Sequence, residues 1–265
     1  MGSRAARWRA AYEFIMRQLE LWDVVPALPP PPPPAITALP DNYLEDLLDG
    51  IDLGEHDATE ARLRRLFCTI SKQDQHRVAR DLFERLLTVP DDGRDIHIVG
   101  GFLEACARID AALIEPGWIE QLVDSEAFQR RSSAAVILWD KALVDPGDVP
   151  LDQIAKLAKP STEDWYVYSP AIAALKELAL TRRAALHVLL DLAESPEATD
   201  RFTAVSALSG IAGVFPAIVW GAAREQLERL AHDPDEGVAN PAFELLASLR
   251  QSDPDTRDVY GHFGM

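Results

Sequence analysis

Residues 227–246, LERLAHDPDEGVANPAFELL, hold the pattern on which the reading of the fold turns. Leu227 and Leu230 close a short apolar helix, Asp233-Pro234-Asp235 breaks it, and Val238, Ala242 and Leu246 share one face of a second helix. Upstream, Leu192 stands 38 residues before Leu230, and Leu157, Leu122 and Leu87 precede it at intervals of 35. Twelve residues after Leu122, Leu192 and Leu230 come Ala134, Ala204 and Ala242, and four further on come Leu138, Leu208 and Leu246. From Leu87 the same counts give Val99 and Leu103. In the Leu157 unit the turn Ser161–Asp164 is two residues longer, which moves the equivalents to Ala171 and Leu175.

A fixed period of this length describes a helix, a tight turn and an antiparallel second helix. The small residue lets the two helices approach, and the leucine one turn later fills the core. One hairpin cannot bury both of its apolar faces, so the hairpins must stack side by side. Pro170 and Pro241 each stand just before the landmark alanine, where proline begins or kinks the second helix.

The stretch 227–246 resembles the HEAT-repeat family of α-solenoids and, more loosely, armadillo-like repeats. Many such repeats carry an arginine three residues before the alanine; Arg131 and Arg201 match it, while Tyr168 and Ala239 do not. The resemblance covers about residues 75–250, with a degenerate cap from 41. It implies an all-α, right-handed α-solenoid of about five to six HEAT-like helical hairpins, with an N-terminal helix on a polyproline linker. The family's members are mostly interaction surfaces, so the resemblance says little about activity.

Outside the repeats, Trp8, Tyr12, Ile15, Leu19 and Trp22 fall on one stripe of a helix within residues 1–24. Residues 25–40 contain Pro26, six consecutive prolines at 29–34 and Pro40, a stiff polyproline spacer. The repeat domain is expected over 41–251, and 252–265 reads as a tail or cap. The tethered helix folds back on the body or inserts into a neighbouring copy to give a homodimer.

Composition narrows the function. Hydrophobic residues make up 48%, ordinary for a globular chain, and no apolar run approaches the length that spans a membrane. No secretory signal is evident, and two cysteines, Cys68 and Cys106, on separate predicted helices in apolar settings, fit a reducing, cytoplasmic compartment. Forty-three acidic against 26 basic residues leave a net charge of -17, which opposes binding to a phosphate backbone and favours a basic protein or peptide. Residues 41–60 alone carry eight carboxylates and no Lys or Arg.

The six histidines form no HxxxH or HExxH pair, and there is no Cys-x-x-Cys, glycine-rich phosphate loop or Gly-x-Ser-x-Gly elbow. The expectation is therefore no catalytic, metal or cofactor site. Gly100-Gly101 reads as close helix packing. Second helices in HEAT-like arrays line the concave side. There Trp139, Trp165, Tyr166 and Tyr168, with Arg131 and Arg201, could form an aromatic and guanidinium-bearing groove. Structurally, the same aromatics fill wedges between repeats and the arginines pair with turn carboxylates of the adjacent unit.

Three functions follow. The first is a non-catalytic module that grips a basic partner as inhibitor, immunity protein or adaptor. The alternative is a HEAT-like DNA glycosylase or other nucleic-acid enzyme, suggested by Trp139-Asp140. It would need a basic strip, for which Arg62, Arg64, Arg65, Lys72, Arg77, Arg80 and Arg85 are the dense candidate. The third is the swapped dimer through residues 1–24.

Overall fold

The computed structural model describes residues 38–51, 56–91, 93–212 and 216–252. The amphipathic segment 1–24, most of the linker 25–40 and the tail beyond 252 lie outside the described residues.

Turn residues cut the described chain into α1 (Tyr43–Leu48), α2 (His56–Phe67), α3 (Lys72–Thr88), α4 (Arg94–Ile109), α5 (Pro116–Val123) and α6 (Phe128–Val144). Then come α7 (Leu151–Leu157), α8 (Trp165–Ala179), α9 (Arg183–Leu192), α10 (Ala198–Ala212), α11 (Pro216–Leu230) and α12 (Glu236–Ser252). No strand occurs among the described residues. From α3 onward the helices pair as α3/α4, α5/α6, α7/α8, α9/α10 and α11/α12, with α1 against α3 and α2 against α4 as a first, incomplete unit. The second helices α4, α6, α8, α10 and α12 pack each on the next in one continuous layer, while α5, α7 and α9 form the opposite row.

The leucine count marks the core. Leu122, Leu157, Leu192 and Leu230 are buried at the ends of α5, α7, α9 and α11, and Ala134, Ala171, Ala204 and Ala242 are fully buried on the second helices. The leucines one turn later are buried too, each contributing about 2 kcal/mol of burial relative to exposure. Leu87 departs from the count: it is half-buried, and Leu86 beside it takes the fully buried position. The longer turn of the Leu157 unit is real, since residues 158–164 join α7 to α8 where 193–197 and 231–235 suffice elsewhere.

Two local expectations change. Of the two places open to Pro170 and Pro241, the start of the helix is excluded and the interior stands: each sits five residues after the first residue of α8 and α12. Proline removes the donor that would reach back four residues to the Tyr166 carbonyl. In α8 that carbonyl instead accepts from the Ser132 hydroxyl of α6 at 3.0 Å, so a tertiary bond replaces the helical one. Cys68 is not in an apolar setting: it is exposed just past the end of α2, whereas Cys106 is buried in α4 and burial pushes its thiol up.

Candidate binding groove

The second helices present a face whose residues recur at helical spacing. On α6 it runs Gln129, Ser132, Val136, Trp139 and Leu143; on α8, Trp165, Ser169, Ala173 and Lys176; on α10, Phe202, Ser206 and Gly210. Large apolar side chains stand exposed along it: Trp139 at 37%, Phe202 at 48%, Trp165 at 61% and Tyr166 at 67%. Aromatic groups in such number on an exposed helical face are the kind of patch that contacts a partner.

Two cavities open in this face. One, of about 610 Å³, lies among α2, α4, α6 and α8 and is lined by Gly101, Glu104, Phe128, Ser132, Trp165 and Tyr166 among others. The other, of about 630 Å³, lies between α8 and α10 and reaches the start of α12, with Tyr168, Lys176, Phe202 and Asp235 in its wall. Trp165 lines both, so its indole is the ridge between them. Edge-to-face contacts hold the ridge: Phe128 with Tyr166 at 6.4 Å and Trp165 with Tyr168 at 5.6 Å between ring centroids. Asp164 caps α8 by accepting from the Tyr166 N–H at 3.2 Å, which anchors the first turn that carries these rings.

The guanidinium part of the expected groove is elsewhere. Arg131 donates to both carboxylate oxygens of Glu163, at 3.0 and 3.1 Å, and to the Ser125 and Glu126 carbonyls at 3.0 and 2.8 Å. Arg201 repeats the arrangement two hairpins later, with Asp233 at 2.6 and 2.9 Å and the Ser195 and Pro196 carbonyls at 3.0 and 2.7 Å. Each arginine clamps the turn of its own hairpin to the turn of the next. Both are inter-repeat clamps, and neither lines either cavity. Further arginines satisfy part-buried carbonyls at helix ends and turns: Arg130 reaches Leu86, Leu87 and Val89, and Arg182 reaches Pro146 and Val149. Trp139 shares the α6 stripe but lines neither cavity.

Sequence spacing did not disclose the charged cluster below the first cavity. Arg108, near the end of α4, forms a two-pronged pair with Asp140 of α6 at 3.1 and 3.0 Å and meets Glu60 of α2 at 3.0 Å. The partners lie 32 and 48 residues away in the chain, so only the fold brings them together. The two carboxylates hold the Arg108 guanidinium above its usual range. Glu60 is held below the carboxylate range by Arg64 and Arg108, whose pull outweighs its desolvation. Burial raises Asp140 despite Arg108. One turn before Arg108, Glu104 is pushed up to about 7 by burial, with Asp140 adding to the shift and the Ser133 hydroxyl bond and Arg108 opposing it. Gly100 permits this arrangement, because a Cβ there would collide with the Ser133 hydroxyl. Gly101 packs against nothing; it opens onto the first cavity.

This cluster bears on chemistry. Asp140, with its side chain 6% exposed and both oxygens on Arg108, is not poised to act on a substrate. Of the seven basic residues in the strip that nucleic acid would need, four are paired with carboxylates and Arg62 donates to the Leu47 and Asp49 carbonyls. Arg64 pairs with Glu60, Lys72 with Asp110, Arg77 with Asp81 and Arg80 with Glu115, all within 4 Å. Among the described residues no group of His, Cys, Asp and Glu could hold a metal ion, and no helix is long and apolar enough to cross a membrane.

No protein family's sequence profile matches the chain, and no curated protein does either. Solved structures do. A chain of the structure described as "Kap95p Binding Induces the Switch Loops of RanGDP to adopt the GTP-bound Conformation: Implications for Nuclear Import Complex Assembly Dynamics" superposes with a TM-score of 0.52 at 13% identity. The match covers 84% of this chain but only 29% of that one. The designed armadillo repeat protein YIII(Dq)4CqI aligns at 21% identity over 78% of this chain and 98% of its own, with a TM-score of 0.37. At such identities the first likeness is one of fold. With the stacked hairpins it makes the chain a HEAT- or armadillo-like α-solenoid.

Proposed function

We propose that this solenoid is a non-catalytic protein-interaction module that holds a segment of a basic partner protein along the face of its second helices. The exposed aromatic ridge between two cavities is the observation that carries the reading. Trp165, Tyr166 and Phe202 are rigid rings that lose little entropy on binding, and such side chains dominate interface energetics. The net charge of -17 steers a cationic partner to the surface and speeds encounter. The titration of a fluorescent arginine-rich peptide with the full chain, followed by anisotropy, tests this. Saturable binding is expected at low salt, weaker at high salt, with Trp165→Ala and Phe202→Ala each costing about tenfold. Absence of binding at low salt, or affinity indifferent to both substitutions, overturns it. A double-stranded DNA probe is expected not to bind under the same conditions.

A further inference from the structure

Among the charged side chains of the second-helix face, Glu104 is distinct. Arg108 is spoken for by Asp140 and Glu60, and Lys176 lies over Gly210 in the other cavity. Glu104 lines the first cavity with only the Ser133 hydroxyl as a close partner, beneath a wall made of Phe128, Trp165 and Tyr166. A carboxyl at the floor and aromatic faces at the rim form an environment for a cation, which gains from ring quadrupoles and from the carboxylate together. We infer that this cavity is the subsite for one lysine or arginine side chain of the partner, its charged head on Glu104 and its stem against Trp165 and Tyr166. The inference rests on the function proposed above and adds to it a particular anchor point.

The first turns of α4, α6 and α8 border the cavity, and helix N-termini disfavour cations. That influence fades within one turn, and Glu104 is ten residues past the start of α4. The charged and titrating groups around Glu104 are Arg108 and His97 on its own helix, Asp140 on α6, Glu60 on α2 and Tyr166 on α8. Asp140 and Glu60 share Arg108 and Glu60 also pairs with Arg64, so the four groups together add no net charge near the floor. A cation entering the cavity favours the ionised form of Glu104 and therefore displaces a proton into solvent. With the carboxyl titrating at about 7, affinity for the cation should rise about tenfold between pH 6 and pH 8.

The test uses the full chain labelled with nitrogen-15, following the Trp165 indole N–H as methylguanidinium or n-butylammonium chloride is added. Urea and n-butanol serve as uncharged counterparts. Expected is a saturable shift with the cations alone, weakened about tenfold by Glu104→Gln. It should be stronger at the higher pH, in a series run with His97→Gln, which removes the imidazole from the cavity lining. An equal response to the neutral probes, no saturable response, or an unchanged response in Glu104→Gln overturns the assignment. If that occurs while Phe202→Ala still weakens the arginine-rich peptide, the subsite falls and the interaction module stands. If the cations bind as expected but no peptide does, the subsite stands and the module falls.

Discussion

Two adjacent glycines in α4 make opposite predictions from one substitution. Replacing a mid-helix glycine by alanine gains about 1 kcal/mol, because glycine loses more backbone freedom on folding. At Gly101 nothing opposes the gain: no heavy atom lies within 4 Å of where the Cβ would stand. Gly101→Ala should therefore stabilise by about 0.5–1 kcal/mol. At Gly100 the new methyl meets the hydroxyl of Ser133, a buried residue on the facing helix with little room to move. Overpacking costs about 1–3 kcal/mol, and turning the hydroxyl away forfeits its bond to Glu104, worth about 1 kcal/mol more. The net is a destabilisation of about 1–3 kcal/mol, which separates the two variants by roughly 2–4 kcal/mol. Ser133→Ala supplies the control, since without the hydroxyl the nearest Ser133 atom is its Cβ at 3.7 Å, an ordinary contact. Urea unfolding followed by circular dichroism reads wild type, the three single variants and the Gly100→Ala/Ser133→Ala double variant. If Gly100→Ala and Gly101→Ala shift stability in the same direction, or if Ser133→Ala fails to relieve Gly100→Ala, the close approach of α4 and α6 is wrong.

Arg201→Ala should cost about 2–4 kcal/mol, because it leaves the Asp233 carboxylate largely buried without its cation. Arg201 holds Asp233 below the usual carboxylate range, so the pair's contribution is present at neutral pH and is lost as acid titrates Asp233; the gap between wild type and variant in thermal melts should narrow as acid is added, leaving the part owed to the Ser195 and Pro196 carbonyls. Glu104 works in the other direction. Its folded-state carboxyl titrates at about 7, above the unfolded value, so its share of stability is full below about pH 4 and is lost as pH climbs to 7. Glu104→Gln should flatten that slope by on the order of 2 kcal/mol between pH 4.5 and 7, and an unchanged slope would refute the placement of this carboxyl.

The part of the fold legible in the sequence is the part that repeats. Leu122, Leu157, Leu192 and Leu230, with their alanines, are periodic because each hairpin solves the same packing problem, and all are buried. Leu87 misled by one residue, since Leu86 and Leu87 are both leucine and periodicity cannot choose between them. The aromatic ridge was visible as residue types at the start of one second helix. Arg131 and Arg201 were visible too, but their partners decide their role: Glu163 and Asp233 sit in the following turns and take the guanidinium groups out of the groove. Hidden were features that occur once. Nothing in the neighbourhood of Arg108 announces Glu60 or Asp140, and Glu104 looks like any polar residue on a helix until the fold lowers it beneath the rings. Pro170 was seen, but its tolerance inside α8 depends on Ser132, which lies 34 residues from the carbonyl it serves.

Arg131 joins hairpin α5/α6 to α7/α8 and Arg201 joins α9/α10 to α11/α12, each by donating to carbonyls on one side and a carboxylate on the other. Excising α7/α8 would strand the Arg131 cation, and excising α9/α10 would strand the Asp233 anion, unless the hairpin brought in supplied the missing half of the lock. The units of this chain are thus alike in shape without being interchangeable. Lengthening or shortening the array by duplication demands that neighbours change together, which ties the number of hairpins to the order in which they occur.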